Sequence, residues 1–367
     1  MAFRIPLQYL TQEHKIRIKK ECTLKESVKP WEKDRFKKLE EITFFEVHHA
    51  SSEISLPMYK AGEILGTKMI NKRRKFPQFP VFRLKTELFD YQKIVAKKAL
   101  NHYNTQGSAF FNVFCAFGKT IVTAYFSALF SQNYGLRTLV LFHRIFIGKS
   151  WIGTFSNWTD ANVYVIGETD GPVTDQHSVI LSMDERVLNL PQDVLDSVGH
   201  LVIDECDCFC TQKKVASLLC TQPLFITALT ATYERDDGFH KMIDMMVGTK
   251  RITRISNKKF FVFKIPTPFE VTPKKSSRGV IWSDLIDLYD EIPERNGLIV
   301  QLVLNNLHQK ILVAFKHYNS AARFHQWMQY YLMPMGLKAS LLAGNVSQYE
   351  DGNVIVATVS KVGIGFD

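Results

Sequence analysis

VFCAFGKT, Val113 to Thr120, closes an apolar run and opens a helical pattern, with Gly118, Lys119 and Thr120 in its last three positions. A strand that turns into a helix through such a loop is suited to hold phosphate. Backbone N–H groups at the helix N-terminus point at the anion, lysine reaches the β and γ oxygens, and the threonine hydroxyl can ligate Mg2+. Ala116 and Phe117 complete the cradle. The stretch departs from G-x-x-x-x-G-K-[ST] at its first position, where Val113 stands in place of glycine. Ala116 occupies a position where such loops often place glycine; alanine is small enough for close approach provided its φ stays negative.

Downstream, HLVIDECDCF (200–209) delivers Asp204 and Glu205 at the end of a second apolar run. Mg2+-assisted phosphoryl transfer needs that pair: one carboxylate to hold the metal, the next to orient or deprotonate the attacking water. A strand-end turn with two solvated acids is the bland reading. A phosphate loop on the same inferred sheet makes it the weaker one.

Around these two stretches, apolar runs alternate with amphipathic ones from residue 84 to about 255. Strands are expected at Ala109–Phe114, Thr138–Phe142, Asn162–Ile166, Ser178–Leu181, His200–Ile203 and Leu224–Leu229, and helices notably at Thr120–Gln132 and Val215–Cys220. That βαβ rhythm predicts an α/β fold with a parallel sheet covered on both faces. Residues 256–295 read as a linker or irregular segment, since PTPFEVTPKKSSRG is polar and holds three prolines. The rhythm restarts near residue 296, with helices at Leu298–Leu307 and Ala321–Leu332 and strands at Lys310–Phe315, Ala339–Leu342 and Asn353–Ala357.

Residues 1–83 differ in kind. Within 1–85 there are 19 Lys/Arg against 10 Asp/Glu, an excess of +9, while the whole chain carries only +10. The excess gathers at Lys15–Lys20, Lys33–Lys38 and the KRRK run Lys72–Lys75, between short β-like runs such as Ile42–Val47. Such concentration points to an electrostatic footprint for phosphates, although basic segments also serve only to solubilise. KRRKFPQFPVFRLK is read as an extended connector. No apolar run reaches the length of a membrane span, and the N-terminus lacks an apolar signal core, so a membrane partner is not expected. Six unevenly spread cysteines do not make a disulfide framework. The run Cys206, Cys208, Cys210 lacks the paired spacing of a zinc site and is expected to supply small apolar side chains at a strand end.

With these residues in place a resemblance becomes specific. VIDECD (Val202–Asp207) resembles motif II of superfamily 2 DExD/H helicases, LTAT (Leu229–Thr232) resembles motif III, and ERDDG follows as in several DNA-translocating members. TLVLFHRIFIGKSW (Thr138–Trp151) is similar to motif Ia, LFDYQ to the adenine-recognising segment, KILVAF to motif IV and NVIVATVSKVGIGFD to motif V. The general pattern looks most like the transcript-release helicases of poxviruses and related large cytoplasmic DNA viruses. The resemblance implies two RecA-like P-loop NTPase domains, at 84–255 and 296–367, preceded by a basic α+β accessory region. It implies ATP and Mg2+ as cofactors, bound in the cleft between the two sheets, and DNA or RNA and a viral transcription machinery as partners. Glu205 would be the catalytic base, Asp204 and Thr120 would hold Mg2+, and Lys119 would bind the triphosphate. Gln92 would read the base, with Ala116, Phe117, Gly118, Gly363 and Asp367 also on the nucleotide. Asp207, Thr230 and Thr232 would couple nucleotide state to domain closure, and Arg144 and Thr358 would contact nucleic acid.

No Q-x-x-G-R-x-x-R follows, because the sequence stops at Asp367. The second RecA-like domain is therefore expected to be incomplete, and the chain a truncated version or a segment of a longer protein. The expected function is an ATP-dependent helicase or translocase in a cytoplasmic setting, such as a viral factory or virion. Two rivals remain: a nucleotide- and nucleic-acid-binding fragment without efficient hydrolysis, and a P-loop enzyme such as a kinase or transport ATPase. LTAT and the second αβ unit argue against the latter.

Overall fold

The computed structural model describes residues 2–27, 39–67, 75–255, 259, 261–276, 279–346 and 352–362. Two compact units divide the chain, Met1–Asn257 and Lys258–Asp367.

The first unit is organised by a seven-stranded sheet in the order β12-β6-β11-β10-β7-β9-β8. Its strands are β6 (Ser108–Val113), β7 (Arg137–Phe142), β8 (Val163–Val165), β9 (Val179–Met183), β10 (Val198–Ile203), β11 (Phe225–Thr230) and β12 (Ile252–Arg254), and every neighbouring pair is parallel. The six runs read as strands therefore lie in one sheet, and β12 extends it. Parallel strands buried on both faces must be apolar at odd and even positions alike. Leu139, Leu141, Leu201 and Ile203 pack into one core, while Val140, Phe142 and Val202 pack into the other. Helices α3 (Asp90–Gln106), α4 (Lys119–Tyr134) and α5 (Ile145–Trp158) cover the second face; α6 (Gln192–Ser197), α7 (Val215–Leu219) and α8 (Lys241–Val247) contribute to the first.

The basic N-terminal residues share that first face. They form an antiparallel sheet of β1 (Ala2–Pro6), β5 (Glu53–Pro57) and β4 (Glu46–His48), a two-stranded pairing of β2 (Thr23–Lys25) with β3 (Glu41–Thr43), and helices α1 (Gln12–Glu21) and α2 (Met58–Leu65). Ala2, Ile42, Phe44 and Met58 belong to the same core as Leu139 and Leu201, and the Ala2 N–H donates to the Thr221 carbonyl at 2.7 Å. Those four residues reach the core of the sheet, while Ile5, Leu10, Ile18, Ile54, Leu56 and Ile64 form a small core of their own and Lys15, Lys19 and Lys20 stand exposed. Lys33–Lys38 and Lys72–Arg74 lie outside the described residues, and Lys75 is exposed. From Lys75 to Lys85 the chain is extended: the Phe82 N–H donates to Ser131 Oγ and Gln132 Nε2 to the Phe82 carbonyl, which pins this stretch along α4.

The second unit holds a three-stranded parallel sheet, β15-β17-β16, formed by β15 (Ile311–Phe315), β16 (Ala339–Leu342) and β17 (Val354–Thr358). Helix α11 (Tyr318–Leu332) packs Phe324 and Met328 into its core. The segment read as irregular contains more order than its prolines imply. A short pairing of β13 (Lys275–Ser276) with β14 (Gly279–Val280) leads to α9 (Trp282–Glu291), and α10 (Pro293–Leu304) begins with proline at its first turn. Proline fits that position because the first-turn N–H has no intrahelical acceptor to lose. A short α12 (Val359–Val362) follows β17. The fold is α/β with RecA-like parallel sheets, and among the described residues no helix is long and apolar enough to cross a membrane.

One polar network sits inside the first unit. His200, fully buried on β10, has Nε2 2.8 Å from Thr227 Oγ1 and Nδ1 3.2 Å from Thr138 Oγ1. Thr227 Oγ1 lies in turn 2.5 Å from the Tyr103 hydroxyl. Burial pushes the imidazole down to about 3 from 6.5. Between those values the unfolded chain binds a proton on His200 that the folded chain does not, so stability falls as pH is lowered through the window. At pH 5 this one group costs about 2 kcal/mol. His200→Gln, which keeps polar partners but cannot titrate, should lose about 2 kcal/mol less than the parent between pH 7 and pH 5 in urea unfolding. Equal losses in the two proteins would show that His200 is not buried in its neutral form.

Candidate nucleotide site

The site is assembled at the carboxyl edge of the parallel sheet, where open α/β folds place their ligands. β6 ends at Val113 and α4 starts at Lys119, with Gly118 at the N-cap in a left-handed conformation (φ 86°) and no side chain capping the helix. Its first-turn N–H groups thus have no intrahelical acceptors. A Cβ at 118 would also stand 2.5 Å from Gln92 Nε2 and would force that side chain to shift. That side chain, buried in the first turn of α3, accepts from the Phe89 N–H at 3.0 Å and donates to the Phe117 carbonyl at 3.1 Å. Gln92 therefore braces the phosphate loop from behind. Tyr91 adds an edge-on contact to Phe117 (5.4 Å between centroids) and stacks on the exposed Phe89 (5.6 Å).

Ala116 departs from expectation. Its φ is +63°, not negative, so this alanine sits where only glycine is free of strain. Glu205 is also left-handed, with φ 48°. Of the three non-glycine residues with positive φ among those described, two are in this site, which fits the tendency of stored strain to gather where geometry matters.

β10 carries the carboxylates. The Asp204 N–H donates to the Leu141 carbonyl at 2.9 Å, so Asp204 continues the pairing with β7. Asp204 Oδ1 accepts from the Glu205 N–H at 3.0 Å, and Oδ2 accepts from the indole N–H of Trp151 at 2.8 Å. Glu205 Oε1 meets Lys119 Nζ at 3.2 Å, both side chains being largely buried. Burial alone would disfavour the ammonium, but the carboxylates of Glu205 and Asp204 outweigh it and hold its pKa above the ordinary lysine value. Burial raises the Glu205 pKa above the usual carboxylate range, against the pull of Lys119.

β11, between β6 and β10, ends in the LTAT segment. Thr230 Oγ1 donates to Asp207 Oδ1 at 2.6 Å, and Thr232 Oγ1 donates to Asp207 Oδ2 at 3.4 Å. Arg235 Nη1 donates to the Asp207 carbonyl at 2.8 Å and pairs with Asp237. The three residues read as coupling elements therefore form one hydrogen-bonded cluster. Thr120 is half-buried in the first turn of α4, and Arg144, at the N-cap of α5, is half-buried at the end of β7. Thr358 belongs to the second unit, where its Oγ1 lies 3.1 Å from Ser360 Oγ; Gly363 and Asp367 lie outside the described residues. Cys206 and Cys210 are buried in the core beneath the loop, and burial pushes the Cys206 thiol well up. Sequence reading placed Trp151 only at the end of a motif match and assigned nothing to it. The available signal was general: a buried indole N–H needs an acceptor.

A braced loop at a helix N-terminus, a lysine within reach of an aspartate–glutamate pair, and a threonine-held third acid stand together at this edge of the sheet. Residues 85–235 match the family described as the res subunit of Type III restriction enzymes (ResIII). The candidate helicase 161L of Invertebrate iridescent virus 6 is 25% identical over 323 residues, covering 80% of this chain and 71% of that protein. The candidate helicase 055L of Frog virus 3 is 25% identical over 286 residues, covering 76% of this chain and 64% of that one. The chain thus spans about two thirds of the length of these relatives. Among solved structures, T4 UvsW is similar with 14% identity and a TM-score of 0.43, covering 95% of this chain and 77% of that chain.

The strain at Ala116 is open to measurement. A left-handed alanine costs about 1–2 kcal/mol, and the extra freedom of glycine in the unfolded chain costs about 0.4–1 kcal/mol. Ala116→Gly should hold or raise stability by up to about 1.6 kcal/mol, whereas the β-branched Ala116→Val should lower it. Chemical denaturation of the three proteins decides, and a marked loss in Ala116→Gly would contradict the left-handed loop.

Proposed function

We propose that the chain is an ATP-dependent nucleic-acid helicase or translocase, hydrolysing ATP with Mg2+ at the 113–120 loop and coupling turnover to movement along DNA or RNA. The observation that carries this reading is the buried Lys119–Glu205 pair, 3.2 Å apart beside Asp204. The residues present fit the cofactors. Asp204 offers a carboxylate held by two donors, Thr120 a hydroxyl in the first turn of α4, and the uncapped helix N-terminus a set of N–H groups. When bound, Mg2+ supplies neutralisation of charge on the phosphate oxygens.

The chain's own groups do the remaining work. Lys119 exchanges Glu205 for the β/γ-phosphates, which releases the Glu205 carboxylate to orient water and accept its proton. A carboxylate whose pKa burial has raised is a stronger base once ionised than an exposed one. Gln92, which holds the Phe117 carbonyl, fixes the loop, and the resemblance to the adenine-recognising segment supports a role for it at the base. Asp207, gripped by Thr230 and Thr232, couples the state of the site to the far end of β11. Gly363, Asp367, Arg144 and Thr358 complete the proposal as nucleotide- and nucleic-acid-contacting residues. The relatives are proteins of viruses, which supports a setting in viral transcription or genome maintenance within the infected cell.

ATP turnover measured with and without single- and double-stranded DNA and RNA tests the assignment. Glu205→Gln should bind ATP and Mg2+ as the parent does but hydrolyse about 10²–10⁴-fold more slowly. In the same assay Lys119→Ala should lose hydrolysis and most of its nucleotide affinity while remaining folded. Parent-rate turnover in Glu205→Gln would remove Glu205 from the role of base. A parent that binds but never hydrolyses with any nucleic acid would favour the binding-fragment reading.

The basic N-terminal residues are proposed to border the nucleic-acid track. Because Ile42, Phe44 and Met58 are core residues of the first unit, deleting 1–83 would unfold more than it tests. Charge removal is the cleaner probe. Lys72, Arg73, Arg74 and Lys75 changed together to Gln should weaken duplex binding most at low salt. Each one that touches a phosphate should flatten the slope of log K against log salt by about 0.9. An unchanged slope would assign this cluster to solubility or to a protein partner.

A further inference from the structure

The indole nitrogen of Trp151 lies 2.8 Å from Asp204 Oδ2, and only the indole can donate. Trp151 is fully buried and Asp204 nearly so, at 7% exposure. The ring is held in turn: it stacks on Phe155 with centroids 5.8 Å apart and planes 26° from parallel, within the core that α5 shares with the sheet. The other carboxylate oxygen accepts from the Glu205 N–H at 3.0 Å. Two donors from different elements, one the loop after β10 and one the helix after β7, thus fix the plane of the Asp204 carboxylate.

A buried indole N–H is satisfied by any carbonyl. Here its acceptor is a carboxylate whose charge is felt at Lys119 in the phosphate loop. We propose that Trp151 is a positioning residue for Asp204, its indole N–H locking the carboxylate in the orientation that holds the divalent cation of the bound nucleotide. The inference rests on the reading of Asp204 as the Mg2+ ligand. Donors behind a metal-binding group matter because an untethered ligand must be ordered each time metal binds. Losing such a donor costs about 10–100-fold in metal affinity. A merely structural tryptophan would lower stability when replaced and leave the metal dependence alone.

The test needs no turnover. The full chain binds a fluorescent ATP analogue while Mg2+ alone is titrated, and the gain in nucleotide affinity with Mg2+ is read. In Trp151→Phe the Mg2+ concentration giving half of that gain should rise about tenfold, with Mg2+-free nucleotide binding unchanged. Should Trp151→Phe fail to fold, replacing Trp151 with β-(3-benzothienyl)alanine keeps the bicyclic shape and removes only the N–H; the same shift is expected. Asp204→Asn, measured alongside, should lose the Mg2+-dependent gain. If Asp204→Asn loses it and the Trp151 variants keep the parent's half-point, the positioning role is overturned while the ligand reading stands. If Asp204→Asn keeps the gain, the ligand reading falls and the inference falls with it.

Discussion

Lys119 and Glu205 come from strands that are not neighbours, and bringing their charges to 3.2 Å at the buried edge of the sheet constrains everything around them. β11 lies between β6 and β10, so the two strands are separated by about two spacings of 4.8 Å. The Lys119 and Glu205 side chains together span the gap that the intervening strand leaves. The loop that delivers Lys119 is also where Ala116 and Gly118 are left-handed and where Gln92 braces the Phe117 carbonyl. The end of β11 supplies hydroxyls, and Thr230 and Thr232 satisfy Asp207 there. A buried ion pair is weak evidence for stability, because desolvation offsets attraction. Under the proposed function the pair is a resting state, in which the proposed base and the proposed phosphate-binding lysine occupy one another until a substrate separates them.

Stored strain supports the same view. Ala116 and Glu205 both lie in the left-handed region, and each is held by something rigid. Ala116 lies between a β-strand and a helix N-terminus. Glu205 follows an aspartate whose amide continues the pairing with β7 and whose carboxylate is gripped from α5. At Ala116, which has no side-chain group to lose beyond Cβ, replacement by glycine changes the energy of the folded state without removing a polar contact, so strain can be measured there apart from chemistry.

The central strands of the large sheet were legible because a parallel strand buried on two faces is an unbroken apolar run, and a run of five or six such residues has few other readings. LVLF and LVI are examples: Leu139 and Leu201 face one core while Val140 and Val202 face the other. What could not be read depends on three-dimensional proximity. α9 is half-exposed and lies near prolines, so its helical pattern was outweighed by turn signals. β12 has three residues with only Ile252 buried, too short to show a period. The candidate site was legible in its residue types but not in its braces. Gln92 supports a carbonyl 25 residues away and Trp151 a carboxylate 53 residues away, and neither spacing carries a local signature. The φ of Ala116 was misjudged because the residue type alone favours a negative value, whereas the loop between β6 and α4 holds it at +63°.

The N-terminal residues show composition and packing dividing one segment between two tasks. Charge alone marks residues 1–85 as an electrostatic surface, since they hold nearly all of the chain's net +10. Four of their apolar residues, Ala2, Ile42, Phe44 and Met58, meanwhile join the core on the face of the sheet opposite α3, α4 and α5, with Phe44 fully buried and the Ala2 amide bonded to Thr221. A parallel sheet needs cover on both faces. On this face α6, α7 and α8 are short, at six, five and seven residues, whereas α3, α4 and α5 run to 17, 16 and 14. The shortfall in helical cover coincides with the docking of β1, β3 and α2. A region that looks like an appendage by charge is therefore part of the sheet's own cover by burial, with exposed Lys15, Lys19 and Lys20 on elements joined to the first unit.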